Sequence, residues 1–147
     1  MPKAKKKKPR LTSIPIIQSR LFRLASQICR DLAGNKCEIC GIEAKTIKNG
    51  KPIRIEAHHV LSRDNKDSPL KWDLRNLVAL CTEHHKFGKR SAHKHGIWFA
   101  EEFKKIRPKD YQWILEHTDD TADLKDRETL QKIEDNLREK QGSSPPA

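Results

Sequence analysis

Apolar positions recur along this chain with two periods. Leu21, Leu24, Ile28 and Leu32 stand at helical spacing among Arg20, Arg23 and Arg30, which predicts a helix over residues 19–33 closed by Gly34-Asn35. Two further helical patterns follow later: residues 97–105, with Trp98, Phe99 and Phe103, and a segment opened by Pro108, with Tyr111, Trp113, Ile114 and Leu115. The stretch 121–140 is strongly charged but keeps Leu130, Ile133 and Leu137 on one stripe, which predicts a last amphipathic helix docked on its own domain. Between these helices the period shortens to two. Ile53, Ile55 and Ala57 alternate, and Asn49-Gly50 carries turn chemistry, so 42–47 and 53–60 read as a hairpin. Residues 62–73 are a polar loop. The run 77–81, Leu-Val-Ala-Leu-Cys, is a short strand or the entry to a helix, and Thr82 is placed to cap a helix behind it. The expected organisation is an arm over 1–16, a domain over 17–118, the charged helix over 119–141 and a Ser/Pro tail over 142–147.

Composition sharpens this outline. Hydrophobic residues make up 35% of the 147 residues. Counting Gly raises this only to about 38%, below the usual ~45–50%. A large apolar core is excluded, and something besides burial is expected to hold the fold. No apolar run approaches the ~18 residues of a membrane span. The basic N-terminus has no apolar segment behind it, so it does not read as a secretory signal. The expectation is a soluble protein of a reducing compartment. There are 31 Lys+Arg against 20 Asp+Glu, a net charge of +11. Such an excess predicts a polyanionic partner, with DNA the first candidate. Lys3, Lys5, Lys6, Lys7, Lys8 and Arg10 stand together with no acid among them, a phosphate-binding arm or a solubilising tail.

The cysteines supply candidate chemistry. Cys37-x2-Cys40 is a metal knuckle, and Cys81-x2-His84 completes a Cys3His set, four ligands of the kind a structural zinc ion takes tetrahedrally. The alternative is a redox pair at Cys37 and Cys40, which needs a βαβ context that this chain lacks. Cys29 falls on the apolar face of the first helix and reads as a core thiol.

Five of the seven histidines, His58, His59, His84, His85 and His93, lie within 36 residues. A strand ending in Glu56-Ala57-His58-His59 is followed by a polar loop, then Asn76-Leu77, then Cys81-Thr82-Glu83-His84-His85. Adjacent strand residues point to opposite sides, so His58 and His59 do not readily ligate one ion together. His93 is placed either to reach such an ion or a phosphate, or to face solvent. Lys86, Lys89, Arg90 and Lys94 form a basic cluster beside these residues, a candidate grip on a phosphate backbone.

These segments together resemble the HNH nucleases of the ββα-metal fold. The resemblance rests on Ala57-His58-His59-Val60, the run from Arg75 to Cys81, His84-His85 and Cys37-x2-Cys40, and spans roughly residues 36–95. His84 stands where zinc-bearing members of the family usually have a fourth Cys. A looser likeness to phage-type HNH recombination endonucleases extends from Lys86 to Trp98. The resemblance implies an α+β fold: a ββα-metal core stapled by the Cys3His site and flanked by helices. It further implies a metal-dependent DNA endonuclease that leaves 5′-phosphate and 3′-hydroxyl ends and works in the cytoplasm of a bacterium or of a phage-infected host. In that scheme His58 and His85 hold the catalytic divalent ion, Mg²⁺ or Mn²⁺ with Ni²⁺ or Co²⁺ also admissible, and His59 is the general base. Asn76 either shapes the loop that presents the base or joins the metal shell. Two other readings stand beside it: a non-catalytic zinc module that binds DNA or recruits other enzymes, and an RNA-binding protein. The residues leave the preferred DNA and the oligomeric state open.

Overall fold

Nineteen residues, Ile14–Leu32, form the first helix, α1, in a computed structural model that describes Ala4, residues 9–64 and residues 66–142. The helix starts earlier than its apolar pattern predicts, so Ile14, Pro15 and Ile16 belong to it and not to the arm. Pro15 stands at the start of the helix, not in its interior. In the first helical turn its missing N–H breaks no hydrogen bond, and its fixed φ suits the helix. The buried stripe is also shifted. Leu21, Ala25, Ile28 and Cys29 face the core, while Leu32 is exposed and Leu24 only half-buried. Gly34 and Asn35 end the helix in the left-handed region (φ 67° and 54°), with the Asn35 N–H on the Arg30 carbonyl at 2.9 Å.

The strands pair differently from the expected hairpin. Asn49 and Gly50 (φ 51° and 74°) make a tight two-residue turn, but it joins only β1 (Ile47–Lys48) to β2 (Lys51–Pro52). The next strand, β3 (Ile55–His59), leaves that hairpin and pairs antiparallel with β4 (Leu77–Cys81), which settles the 77–81 run as a strand. The register sets His58 opposite Val78 and His59 opposite Leu77. All five residues of β4 are buried, which explains their unbroken apolar run. The connecting loop is polar at its tip only. Its far end contains two 3₁₀ turns, Pro69–Trp72 and Leu74–Asn76, that bury Leu70, Trp72 and Asn76.

Thr82 does not cap a helix. It is followed by a single π-helical turn, Glu83–Phe87, and its side chain makes no capping bond. Helices α2 (Gly96–Ile106) and α3 (Pro108–His117) come next and bury Phe99, Phe103 and Ile114. Between them Arg107 donates to the carbonyls of Leu77 (2.6 Å), Leu74 (2.9 Å) and Arg75 (3.3 Å), fixing the backbone around Asn76. The last helix, α4 (Arg127–Gln141), packs on α1 through Leu130 and Leu137. Its buried Glu134 pairs with Arg20 at 2.7 Å and Arg138 at 3.5 Å. The result is an α+β fold with two small antiparallel sheets. No helix among the described residues is long and apolar enough to cross a membrane.

Two candidate metal centres

The first centre is built from two short turns. The Cys37 knuckle closes through Gly41, whose N–H donates to the Cys37 carbonyl at 2.8 Å and whose φ of 75° suits glycine. Glu38 inside the knuckle ties it to β4 by accepting from the Ala79 N–H at 2.7 Å. Cys81 ends β4, and His84 follows on the π turn. Cys81 Sγ lies 3.3 Å from His84 Nδ1, Cys37 Sγ lies 3.7 Å from that nitrogen, and Cys40 Sγ lies 3.9 Å from Cys81 Sγ. A tetrahedral zinc with ~2.3 Å Zn–S bonds separates its sulfurs by about 3.8 Å, so these spacings match a zinc cage. A disulfide needs ~2.05 Å, and all four cysteines are free thiols. Burial, with two neighbouring sulfurs, pushes the Cys81 thiol up to about 12, and burial likewise raises Cys40. A divalent cation beside Cys40 and Cys81 would offset that rise and favour their thiolates, the ligating form. The Cys3His cluster can therefore hold a metal ion such as zinc. Trp98 covers it, stacked on the His84 ring at 5.8 Å. Cys29 stands apart as a core thiol, raised to about 12 by burial and unsuited to ligation.

The second centre is a tripod of imidazoles. His58 from β3, His85 from the π turn and His93 bring ligand atoms within 4.8 Å of one another. Their ring centroids lie 4.8–5.3 Å apart, and His85 Nε2 is 3.1 Å from His93 Nε2. The sequence leaves His93 open between reaching the ion or a phosphate and facing solvent, and the fold brings it to the tripod. The chain brings it back by folding onto the π turn: the Ala92 N–H bonds the His84 carbonyl (2.7 Å) and the His93 N–H bonds the His85 carbonyl (3.1 Å). Burial, reinforced by His85 and His93, pulls His58 down to about 3, and burial lowers His85. Neutral imidazoles are the ligating form. His85 Nδ1 is buried without a hydrogen-bond partner, and Glu56 Oε1 faces it at 3.6 Å. That carboxylate is placed to orient the ring as an outer-shell group does. Phe99 closes the inner side edge-on to His58 at 4.9 Å, while His93 is exposed and leaves the outer side open.

His59 points elsewhere. Its Nε2 lies 2.8 Å from the Lys71 carbonyl, and its ring meets the Phe22 edge at 5.8 Å. A carbonyl only accepts, so Nε2 carries the hydrogen and the neutral ring keeps a free lone pair on Nδ1. Burial lowers its affinity for a proton, and the Lys71 carbonyl opposes that shift. Asn76 clamps the loop between them. Its Oδ1 accepts from the Leu61 N–H (2.6 Å), and its Nδ2 donates to the carbonyls of Leu61 and Leu70 (both 3.1 Å). Both ends of the side chain are thus engaged by the loop that delivers Lys71 to His59.

Lys86, Lys89, Arg90 and Lys94 are all exposed on the turn and loop beside the tripod. Lys5, Lys6, Lys7 and Lys8 lie outside the described residues. His95 caps α2 by accepting from the Trp98 N–H, and His117 stacks on Trp113. Comparison with protein-family models, curated proteins and solved structures gave no match.

Proposed function

We propose that this chain is a metal-dependent endonuclease of the HNH class that hydrolyses DNA phosphodiester bonds. The observation that carries the reading is the division of labour on β3: His58 turns into a three-imidazole tripod, while its neighbour His59 keeps a free Nδ1. The order β3, β4, π turn supports reading these elements as a ββα-metal core, with the Cys3His cluster as its staple.

His59 Nδ1 accepts the proton of a water as its oxygen attacks phosphorus in line with the leaving 3′ oxygen. The Lys71 carbonyl, accepting from Nε2–H, holds the ring in the needed tautomer and stabilises the imidazolium that forms. Asn76 keeps that carbonyl in place by holding the loop. The open His93 side admits the phosphate, and the exposed cations flank its path. A divalent ion bound by the tripod supplies charge stabilisation at the phosphoryl oxygens. An all-imidazole donor set favours Co²⁺, Ni²⁺ or Zn²⁺ over the more oxygen-seeking Mn²⁺ and Mg²⁺.

The test is plasmid cleavage with each of these ions and with Mg²⁺, comparing wild type with His59→Ala. The variant should keep fold, metal and DNA affinity and lose ~10²–10⁴ in rate. A wild-type protein that binds DNA but cuts it with none of these ions overturns the reading and leaves a non-catalytic zinc module.

A further inference from the structure

Phe87 is 71% exposed, an unusual position for a large aromatic side chain in so polar a chain. It ends the π turn two residues after His85. The turn presents it rigidly. The Gly88 N–H donates to the Glu83 carbonyl at 2.8 Å, and a Cβ at Gly88 would sit 2.8 Å from that same oxygen, so the chain reverses there only with glycine. Lys94 Nζ donates to the Phe87 carbonyl at 3.0 Å, and the returning loop is bonded to His84 and His85. Lys86, Lys89 and Arg90 flank Phe87 in the chain and Lys94 reaches its carbonyl; all four are exposed, and none forms an ion pair among the described residues.

A protein partner would be an unfavourable occupant, because interface cores are depleted of Lys. An exposed ring on a turn and loop that carry four unpaired cations instead complements a nucleic acid: phosphates meet the cations, and a base face meets the phenyl ring. We propose that Phe87 is a base-stacking residue, and that the histidine site beside it acts preferentially on DNA carrying an unpaired or unstacked base. This rests on the nuclease reading and adds its substrate class. Paired bases inside a continuous duplex have both faces covered, so the ring engages them only after unstacking, at a cost of a few kcal/mol. An extrahelical base needs no such step.

The experiment measures binding, by anisotropy without added catalytic metal, of a continuous duplex and of the same duplex with one extrahelical 2-aminopurine. Wild type should prefer the bulged duplex and quench the 2-aminopurine. Phe87→Ala should bind the bulged duplex about 5- to 150-fold more weakly, the effect of one lost stacking contact, with no quenching. Its affinity for the continuous duplex and its salt dependence should hold, since no cation is removed. Phe87→Trp should retain the preference. The inference falls if wild type shows no preference, or if Phe87→Ala binds the bulge as wild type does. It falls equally if sedimentation shows a wild-type dimer that Phe87→Ala dissociates while DNA binding is unchanged. If wild type still cuts plasmid and His59→Ala does not, the nuclease reading survives that failure; if wild type binds neither duplex, both fall.

Discussion

Replacing Asn76 by Ala removes one side chain and strands three backbone groups. Asn76 is 1% exposed, and it satisfies the Leu61 N–H and the carbonyls of Leu61 and Leu70. A buried group left without its partner costs about 1–3 kcal/mol. The two Leu61 groups lie nearer solvent and recover part of this from water, whereas the Leu70 bond is fully buried. The sum is about 3–5 kcal/mol, and for a domain of this size a melting point roughly 10–15 °C lower. Thermal unfolding reads the total, and hydrogen exchange localises it: the Leu61 amide should lose protection before β4 does. Asn76→Asp is the informative partner. It keeps an acceptor for the Leu61 N–H but turns carboxylate lone pairs toward two carbonyls, so at neutral pH it should be no more stable than Asn76→Ala. Acidification should recover part of the loss, since the protonated acid donates one hydrogen bond. The clamp is refuted if Asn76→Ala melts within a degree or two of wild type with normal Leu61 exchange. Loss of metal at the histidine tripod in an otherwise intact Asn76→Ala would instead return Asn76 to the metal shell.

Metal analysis of protein purified without chelator should find one tightly held zinc, and Cys37→Ser, Cys40→Ser, Cys81→Ser or His84→Ala should each release it with loss of the fold, because zinc binding energy here is folding energy; zinc retained in all four variants would refute the cage. Asp73 is held below the usual carboxylate range: burial alone would raise it, but hydrogen bonds and the charge of Arg75 outweigh that. Its stabilisation is full above about pH 3.9, the unfolded value, and is lost as pH falls through the lower native one. Asp73→Asn should therefore be less stable than wild type at neutral pH and converge with it in acid titrations; an unchanged gap would refute the assignment. Substituting Lys86, Lys89, Arg90 and Lys94 together by Ala should reduce the slope of log affinity against log salt by up to about 3.6, at ~0.9 per phosphate contact. Deleting residues 1–10 should lower it further while leaving cleavage intact. Unchanged slopes would take these residues off the DNA.

What the sequence by itself determined is what short-range chemistry dictates. Cys37-x2-Cys40 and Cys81-x2-His84 are legible because a two-residue loop already brings each pair to one ion, and the cage needs only those turns to meet. The Asn49-Gly50 turn, the helices opened near Ile97 and Pro108, and the buried Cys29 were readable for the same reason: each depends on a few neighbouring residues. Tertiary structure decided the rest. Asn49-Gly50 favours a tight hairpin turn from local chemistry alone, but β3 pairs with β4 across a long loop because the fully apolar β4 must be covered. The start of α1 moved to Ile14 because Pro15 terminates or initiates a helix according to its position, not its identity. The third imidazole stayed undecided in the sequence because His93 meets His85 only after the chain reverses at Gly88 and bonds back to the π turn. The free nitrogen of His59 was hidden, since it is set by a carbonyl twelve residues away, held by an Asn76 clamp that exists only once the loop has folded.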